Sequence, residues 1–180
     1  MNKFLKMLYD EHKIIVNAID AAQQAKSLIG KDDTLYESTI RKLITFFRNY
    51  ADRFHHYKEE EILFPEMNKR NELLAEGVIK EMFDNHEDFR AMIRSIENKL
   101  DAKKFTEAQG ELEKYANALL DHIAVENDEV FVMAETLFSE NELEDIMYRF
   151  DDCDRDLGEK QKLELEELAD SLRKKMMLID

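Results

Sequence analysis

Four histidines, His12, His55, His86 and His122, are spread along the chain, and two of them are followed four residues later by a glutamate, Glu59 and Glu126. Neutral imidazole is the commonest side-chain metal ligand. A helix puts residues i and i+4 on one face, so His-x-x-x-Glu offers a nitrogen and an oxygen to one centre. The spacing also sets the four at one level. In antiparallel helices joined by a turn, two residues lie side by side when they are equally far from that turn. The midpoint of His12 and His55 falls at Asp33/Thr34, inside the break Gly30-Lys-Asp-Asp-Thr34. The midpoint of His55 and His86 falls at Arg70/Asn71, within Asn68-Lys-Arg-Asn71, and that of His86 and His122 at Lys104, after Asp101-Ala-Lys-Lys104. All three stretches are polar and suited to turns.

A single histidine on an apolar face is ordinarily a core residue whose ring nitrogens find protein partners. Four at one level, two with a glutamate on the same face, point instead to a metal site. A buried carboxylate without a cation costs several kcal/mol or takes up a proton, and a metal removes that cost. His56 competes with His55, because Glu60 lies four residues beyond it. The His55 face carries Ile44, Ala51 and Ile62, whereas the His56 face carries Thr45, Asn49 and Asp52. His55 and Glu59 are therefore the expected ligands. His56 is expected to be exposed or to sit behind them, and Glu60 and Glu61 to form a solvated acidic face. Six ligands exceed one tetrahedral zinc, and His-Glu-x-x-His is absent because Arg90 stands four beyond His86. Two metals fit better, and mixed imidazole and carboxylate ligation suits iron, with copper and zinc as competitors.

The elements that must position these residues are helices. The 180 residues include only four Gly and one Pro, with 44% hydrophobic and 37% charged content. Apolar spacing predicts helices near 3–28, 34–68, 72–100 and 105–137, then shorter ones near 140–151 and 158–178. The expected fold is an all-α, up-down-up-down four-helix bundle over residues 1–138, with a C-terminal helical extension over 139–180. Pro65 should disturb the second helix about one turn before it and leave His55 alone. Leu5, Leu8, Tyr9, His12 and Ile19 match Ile79, Met82, Phe83, His86 and Ile93 in spacing, and His55, Glu59 and Phe64 match His122, Glu126 and Phe131. The chain reads as two related helical hairpins. The last helix carries Leu165, Leu168, Leu172 and Met176, a seam that covers the bundle or pairs two copies as a homodimer.

The net charge of −15 opposes binding to nucleic acid or to anionic membrane surfaces, and no run approaches a membrane span. The single cysteine, Cys153, lies in Asp151-Asp-Cys-Asp154, which should raise its thiol pKa. With no signal peptide legible at Met1–Asp10, a reducing cytoplasm is expected.

Asp10-Glu-His12, His55-His-Tyr-Lys-Glu-Glu-Glu-Ile-Leu-Phe-Pro65, Asn85-His-Glu-Asp-Phe89 and His122-Ile-Ala-Val-Glu126 together resemble the hemerythrin-like HHE cation-binding domains, over roughly residues 5–137. The resemblance implies a four-helix bundle around two iron ions, oxo- or hydroxo-bridged, that binds oxygen, nitric oxide or related small molecules. Oxygen-carrying members place two histidines four apart on the third helix, but Met82 and Arg90 flank His86 here. The chain is thus similar to the four-histidine branch, which includes repair-of-iron-centres proteins. Their cysteine-bearing N-terminal domain has no counterpart in these 180 residues. On this basis His12 and His55 are expected to hold one iron and His86 and His122 the other, with Glu59 and Glu126 bridging; a permuted pairing is the alternative. Leu8, Tyr9, Phe83 and Ile93 are expected to dry the pocket. The expected role is binding or sensing of oxygen or nitric oxide, ahead of an enzyme acting on peroxide or nitric oxide, an iron donor, or a metal-free helical adaptor.

Overall fold

The computed structural model describes residues 3–179, with side chains from residue 6 onward, and every regular element among them is helical. The Leu5 side chain, matched above to Ile79, lies outside the described set. Helix α1 (Lys3–Gln24) tightens into a 3-10 turn, Ala25–Leu28. Gly30, with φ of +77°, then turns the chain. Helix α2 (Asp33–Phe46) opens on Asp32, whose carboxylate accepts the Leu35 N–H at 2.9 Å. It continues through π-helical stretches at Phe47–His56 and Glu59–Leu63 into α3 (Phe64–Arg70). Helix α4 (Val78–Asp101) and α5 (Phe105–Val125) follow. A π turn, Glu126–Val130, joins α5 to α6 (Phe131–Leu137), and α7 (Glu140–Leu157) and α8 (Glu159–Met176) complete the chain.

Two boundaries differ from the periodicity. The third long helix begins at Val78 rather than near 72, because Gly77 adopts φ −109°, ψ −125°, outside helical space, and Glu72–Glu76 form a separate 3-10 turn. Helix α7 runs to Leu157 rather than 151, where Gly158, with φ of +111°, ends it. The Ser139/Glu142 capping box fixes its start.

The larger departure is the π geometry. The expected disturbance near Pro65 reaches back to Phe47 and includes His55. In an α-helix, residues four apart drift by about 40° around the axis. Wider turns, bonded i to i+5, offset that drift. Phe46/Phe47, Tyr50/Ala51, Phe54/His55 and Lys58/Glu59 are accordingly all buried, at a constant four-residue step. Proline is not the whole cause. Both matched motifs carry the same device: the Phe64 N–H donates to the Glu59 carbonyl, and the Phe131 N–H donates to the Glu126 carbonyl, with no proline in the second.

Two apolar clusters fill the bundle. Going along α1 and α4, the chain passes from the cluster of Leu8 and Met82 to that of Ile15 and Phe89; along the α2 continuation and α5 it passes the other way, from Phe54 and Leu119 to Ile62 and Val130. The buried histidines and glutamates lie on the level between. Helix α8 inserts Leu165, Ala169, Leu172 and Met176 into the first cluster, and α7 inserts Leu143, Ile146 and Phe150 into the second. The seam of α8 thus faces its own bundle, with Leu168 half-buried at its edge. Among the described residues no helix is long and apolar enough to cross a membrane. Leu172→Ala should cost about 2–5 kcal/mol, read as a lower midpoint in urea unfolding. An unchanged midpoint would contradict the place of α8 in the core.

Candidate metal centre

Helix α1 supplies His12, the π stretches His55 and Glu59, α4 His86, and the end of α5 with its π turn His122 and Glu126; all six are buried. The histidines meet in twos through their Nε2 atoms, His12 with His55 at 2.8 Å and His86 with His122 at 3.0 Å. Two nitrogens each about 2.1 Å from one metal and at right angles to each other lie about 3 Å apart. The rings in each pair cross at 62° and 67°, so their in-plane lone pairs can converge.

Each glutamate reaches both pairs. Glu126 Oε2 lies 3.2 Å from His12 Nε2 and its Oε1 3.1 Å from His122 Nε2. Glu59 Oε1 lies 3.4 Å from His55 Nε2 and its Oε2 3.7 Å from His86 Nε2. Both side chains are 0% exposed, and none of the four carboxylate oxygens accepts a hydrogen bond. Burial, reinforced by the neighbouring Glu126 carboxylate, drives the Glu59 carboxyl well above its usual range. Burial would raise Glu126 too, but the imidazoles of His122, His12 and His86 hold it well below.

The outer edges of the imidazoles are committed. His12 Nδ1 donates to Asn127 Oδ1 at 2.8 Å, His55 Nδ1 to Glu11 Oε2 at 2.8 Å, and His86 Nδ1 to Glu60 Oε1 at 2.7 Å. His122 Nδ1 meets the Asn85 amide at 3.3 Å. The three acceptors fix the tautomer of His12, His55 and His86 with Nε2 bare, as in metal-ligating histidines, whereas the Asn85 amide N–H donates to His122 Nδ1. The consequence for His12 and His55 is direct. When both rings are neutral and both Nδ1 atoms donate, both Nε2 atoms carry bare lone pairs, and lone pairs 2.8 Å apart repel unless a cation or a proton lies between them. Burial, with His12 alongside, pushes His55 down to about 4, so a proton is disfavoured there. The donor set fits metal cations.

The partners obey the internal repeat. Glu11 and Asn85 each precede a histidine, of α1 and α4, and hold the following helix's His55 and His122. Glu60 and Asn127 each follow a glutamate and hold His86 and His12. Phe64 stacks on His86 and Phe131 on His12, at 6.0 and 5.4 Å between ring centroids, and Phe89 meets His122 edge-on at 5.2 Å. Of the four residues expected to dry the site, Leu8 and Ile93 are buried, while Tyr9 and Phe83 lie one layer out, against Phe131 and Phe64.

His56 is not exposed: it is buried at 2%, and with His86 and His122 it forms a second group of potential ligands. Its ring stacks on His86 at 3.8 Å and 14°. Nearly parallel stacked planes intersect far beyond a metal–nitrogen bond of about 2.1 Å, so these two rings cannot both aim lone pairs at one ion. His56 therefore backs His86. Glu60 is likewise not a solvated carboxylate, since it bridges His86 and Arg90, the latter at 2.8 Å. Of the two places expected for His56 the inner one holds, and the π geometry accounts for it and for Glu60 by turning neighbours of the expected face inward.

Sequence reasoning missed one network. Lys58 is 0% exposed, and its Nζ donates to Glu11 Oε1 at 2.5 Å and pairs with Asp154 Oδ1 at 3.0 Å. Lys162 of α8 donates to Glu11 at 2.6 Å and pairs with Asp154 of α7. Burial opposes the Glu11 charge, but Lys58, His55 and Lys162 hold its carboxyl well below the usual range. Periodicity carried a signal, because Lys58 lies midway between the buried Phe54 and Ile62. Cys153 adjoins this network, and burial, more than the Asp154 beside it, raises its thiol pKa. Lys58→Met removes one of the two cations that Glu11 and Asp154 share, leaving Lys162 alone between them, and should cost up to about 3–5 kcal/mol in denaturant unfolding of the metal-free protein. Adding Glu11→Gln should restore part of the loss; a double variant as weak as the sum of the two singles would contradict the coupling.

Among curated proteins no relative matches the sequence. The family model of the hemerythrin HHE cation binding domain matches residues 3–134, the stretch that contains all six buried histidines and glutamates of the centre. By that match, over most of its length, the chain belongs to the hemerythrin HHE cation-binding family.

Proposed function

We propose that the chain is a non-haem di-iron protein that binds or senses oxygen or nitric oxide. His12 and His55 are assigned to one iron, His86 and His122 to the other, and Glu59 and Glu126 to both as bridges. The observation that carries this reading is the reach of each buried carboxylate, whose two oxygens face imidazoles of both pairs and accept no hydrogen bond. Two cations between these groups satisfy all four oxygens at once. Four imidazoles with two carboxylates suit iron. Iron held there supplies a ferrous–ferric couple and open coordination positions for a small diatomic molecule.

The chain's own residues exclude water and fix geometry. Phe64, Phe89 and Phe131 cover His86, His122 and His12. Glu11, Glu60, Asn85 and Asn127 hold the outer ring nitrogens. A centre buried and tethered in this way favours retention of metal over its donation to other proteins. The carboxylates beside the ligands, Glu11 and Glu60, are committed to ring nitrogens and to Lys58, Lys162 and Arg90, which favours binding over turnover. A cytoplasmic setting accords with the single buried cysteine.

Purified under air and then reduced anaerobically, the protein should show an oxo-to-iron absorption band that bleaches on reduction. Nitric oxide or oxygen should then produce a reversible spectral change saturating at stoichiometric gas. Sustained consumption of gas or peroxide with a reductant would replace the binding role with an enzymatic one. His122→Ala should lose metal and stability together; unchanged metal content would remove His122 from the ligand set. Glu59→Gln should separate the two effects. Its amide reproduces the protonated carboxyl, so the metal-free variant melts no lower than the parent, whereas metal content falls by at least about half. A metal-free variant that melts well below the parent would contradict the raised Glu59 carboxyl.

A further inference from the structure

A cavity of about 560 Å³ opens between the π stretch, α4 and α5, outside the buried centre. Its size lies in the range of small-molecule sites, roughly 300–1,000 Å³. Its apolar wall is Phe47, Phe89, Ile93 and Tyr115, and His56 closes it on the side of the metal centre. Four of the chain's nine arginines line it, Arg48, Arg53, Arg90 and Arg94, in a chain whose net charge is −15. Arg48 is bound to Glu97, and Arg90 to Asp52, Glu60 and Glu87. Arg53 and Arg94 are exposed, and among the described residues no carboxylate pairs with either.

His56 supplies an independent observation. It is 2% exposed, and its Nδ1 has no hydrogen-bond partner; the nearest carboxylate, Asp52 on the cavity wall, stands 3.6 Å away and is already held by Arg90. A buried ring nitrogen left unpaired beside a cavity is costly unless something in the cavity completes it. Flat aromatic walls favour a flat aromatic body. Free guanidinium groups favour carboxylate, sulfonate or phosphate, which they bind through two parallel hydrogen bonds.

We propose that this cavity binds a small aromatic organic anion, its ring lying against Phe89 and Tyr115 and its charged group held by Arg53 and Arg94. The ligand would be separated from His86 by one imidazole, that of His56, which stacks on it. The proposal does not depend on which metal occupies the centre or on the gas it binds.

The test is a fluorescence titration of 8-anilinonaphthalene-1-sulfonate into the full metal-loaded chain, beside the uncharged analogue N-phenyl-1-naphthylamine. The sulfonate dye should bind at about one per chain and be displaced by 1-naphthoate. The Arg53→Glu/Arg94→Glu double variant alters two exposed, unpaired side chains, so metal content and melting temperature should match the parent. It should bind the sulfonate dye about tenfold or more weakly, with the uncharged analogue changed by less than about twofold. Loss of dye with metal content intact separates this site from the centre. Uptake of several dyes per chain, or affinity indifferent to the charge reversal, would overturn the proposal. Displacement by a hexaglutamate peptide and not by 1-naphthoate would also overturn it, assigning the arginines to an acidic protein partner.

Discussion

Two carboxylates buried side by side without hydrogen-bond donors are the constraint on which the rest of this bundle depends. Glu59 and Glu126 lie at the level where apolar packing is interrupted on all four surrounding helices. Alone, two such charges would each cost several kcal/mol, and one responds by moving its carboxyl well above the usual range. Four imidazoles whose outer nitrogens are already engaged surround them, and three of these, His12, His55 and His86, donate outward, so their inward lone pairs add to the same demand. Bound cations convert both costs into attraction. Metal binding in this chain is therefore also stability, and the centre is built where its absence costs most.

The means of building it is repeated. Each half of the bundle presents His-x-x-x-Glu, then a π turn closed by a phenylalanine N–H on the glutamate carbonyl, then that phenylalanine over a histidine of the other half. The repeat is not identical in charge. One half backs its neighbours with Glu11 and Glu60, the other with Asn85 and Asn127, so each histidine pair has one carboxylate-backed ring and one amide-backed ring. The extra charges have local answers: Lys58 and Lys162 at Glu11, Arg90 at Glu60. Through Lys162 and Asp154, helices α7 and α8 take part in holding His55, as well as covering the core.

Much of this was legible in the sequence because histidine level and hydrophobic period both follow from α-helical arithmetic. The six central residues and the helical class came from those two patterns, and the hemerythrin-like resemblance agrees with the family match. The departures at the centre have one origin. An α-helical face separates His55 from His56 and Glu59 from Glu60, but π turns broaden the inward face and bury or half-bury all four. The shared Phe64 and Phe131 spacing held a trace of that geometry, without saying which hydrogen bonds would change. Lys58 was missed for a different reason: a lysine is assumed to reach water, and its partners, Glu11 on α1 and Asp154 on α7, lie 47 and 96 residues away in sequence.

The central claim is that this cluster of buried imidazoles and carboxylates is made for two cations rather than for one or none. Calorimetric titration of the metal-free chain with ferrous iron, under anaerobic conditions, tests it most directly. The account predicts uptake saturating at about two ions per chain, with proton release, because Glu59 must give up its proton to bridge, and a large rise in melting temperature. Saturation at one ion, or binding without stabilisation, would contradict the bridged arrangement and leave the carboxylates unexplained.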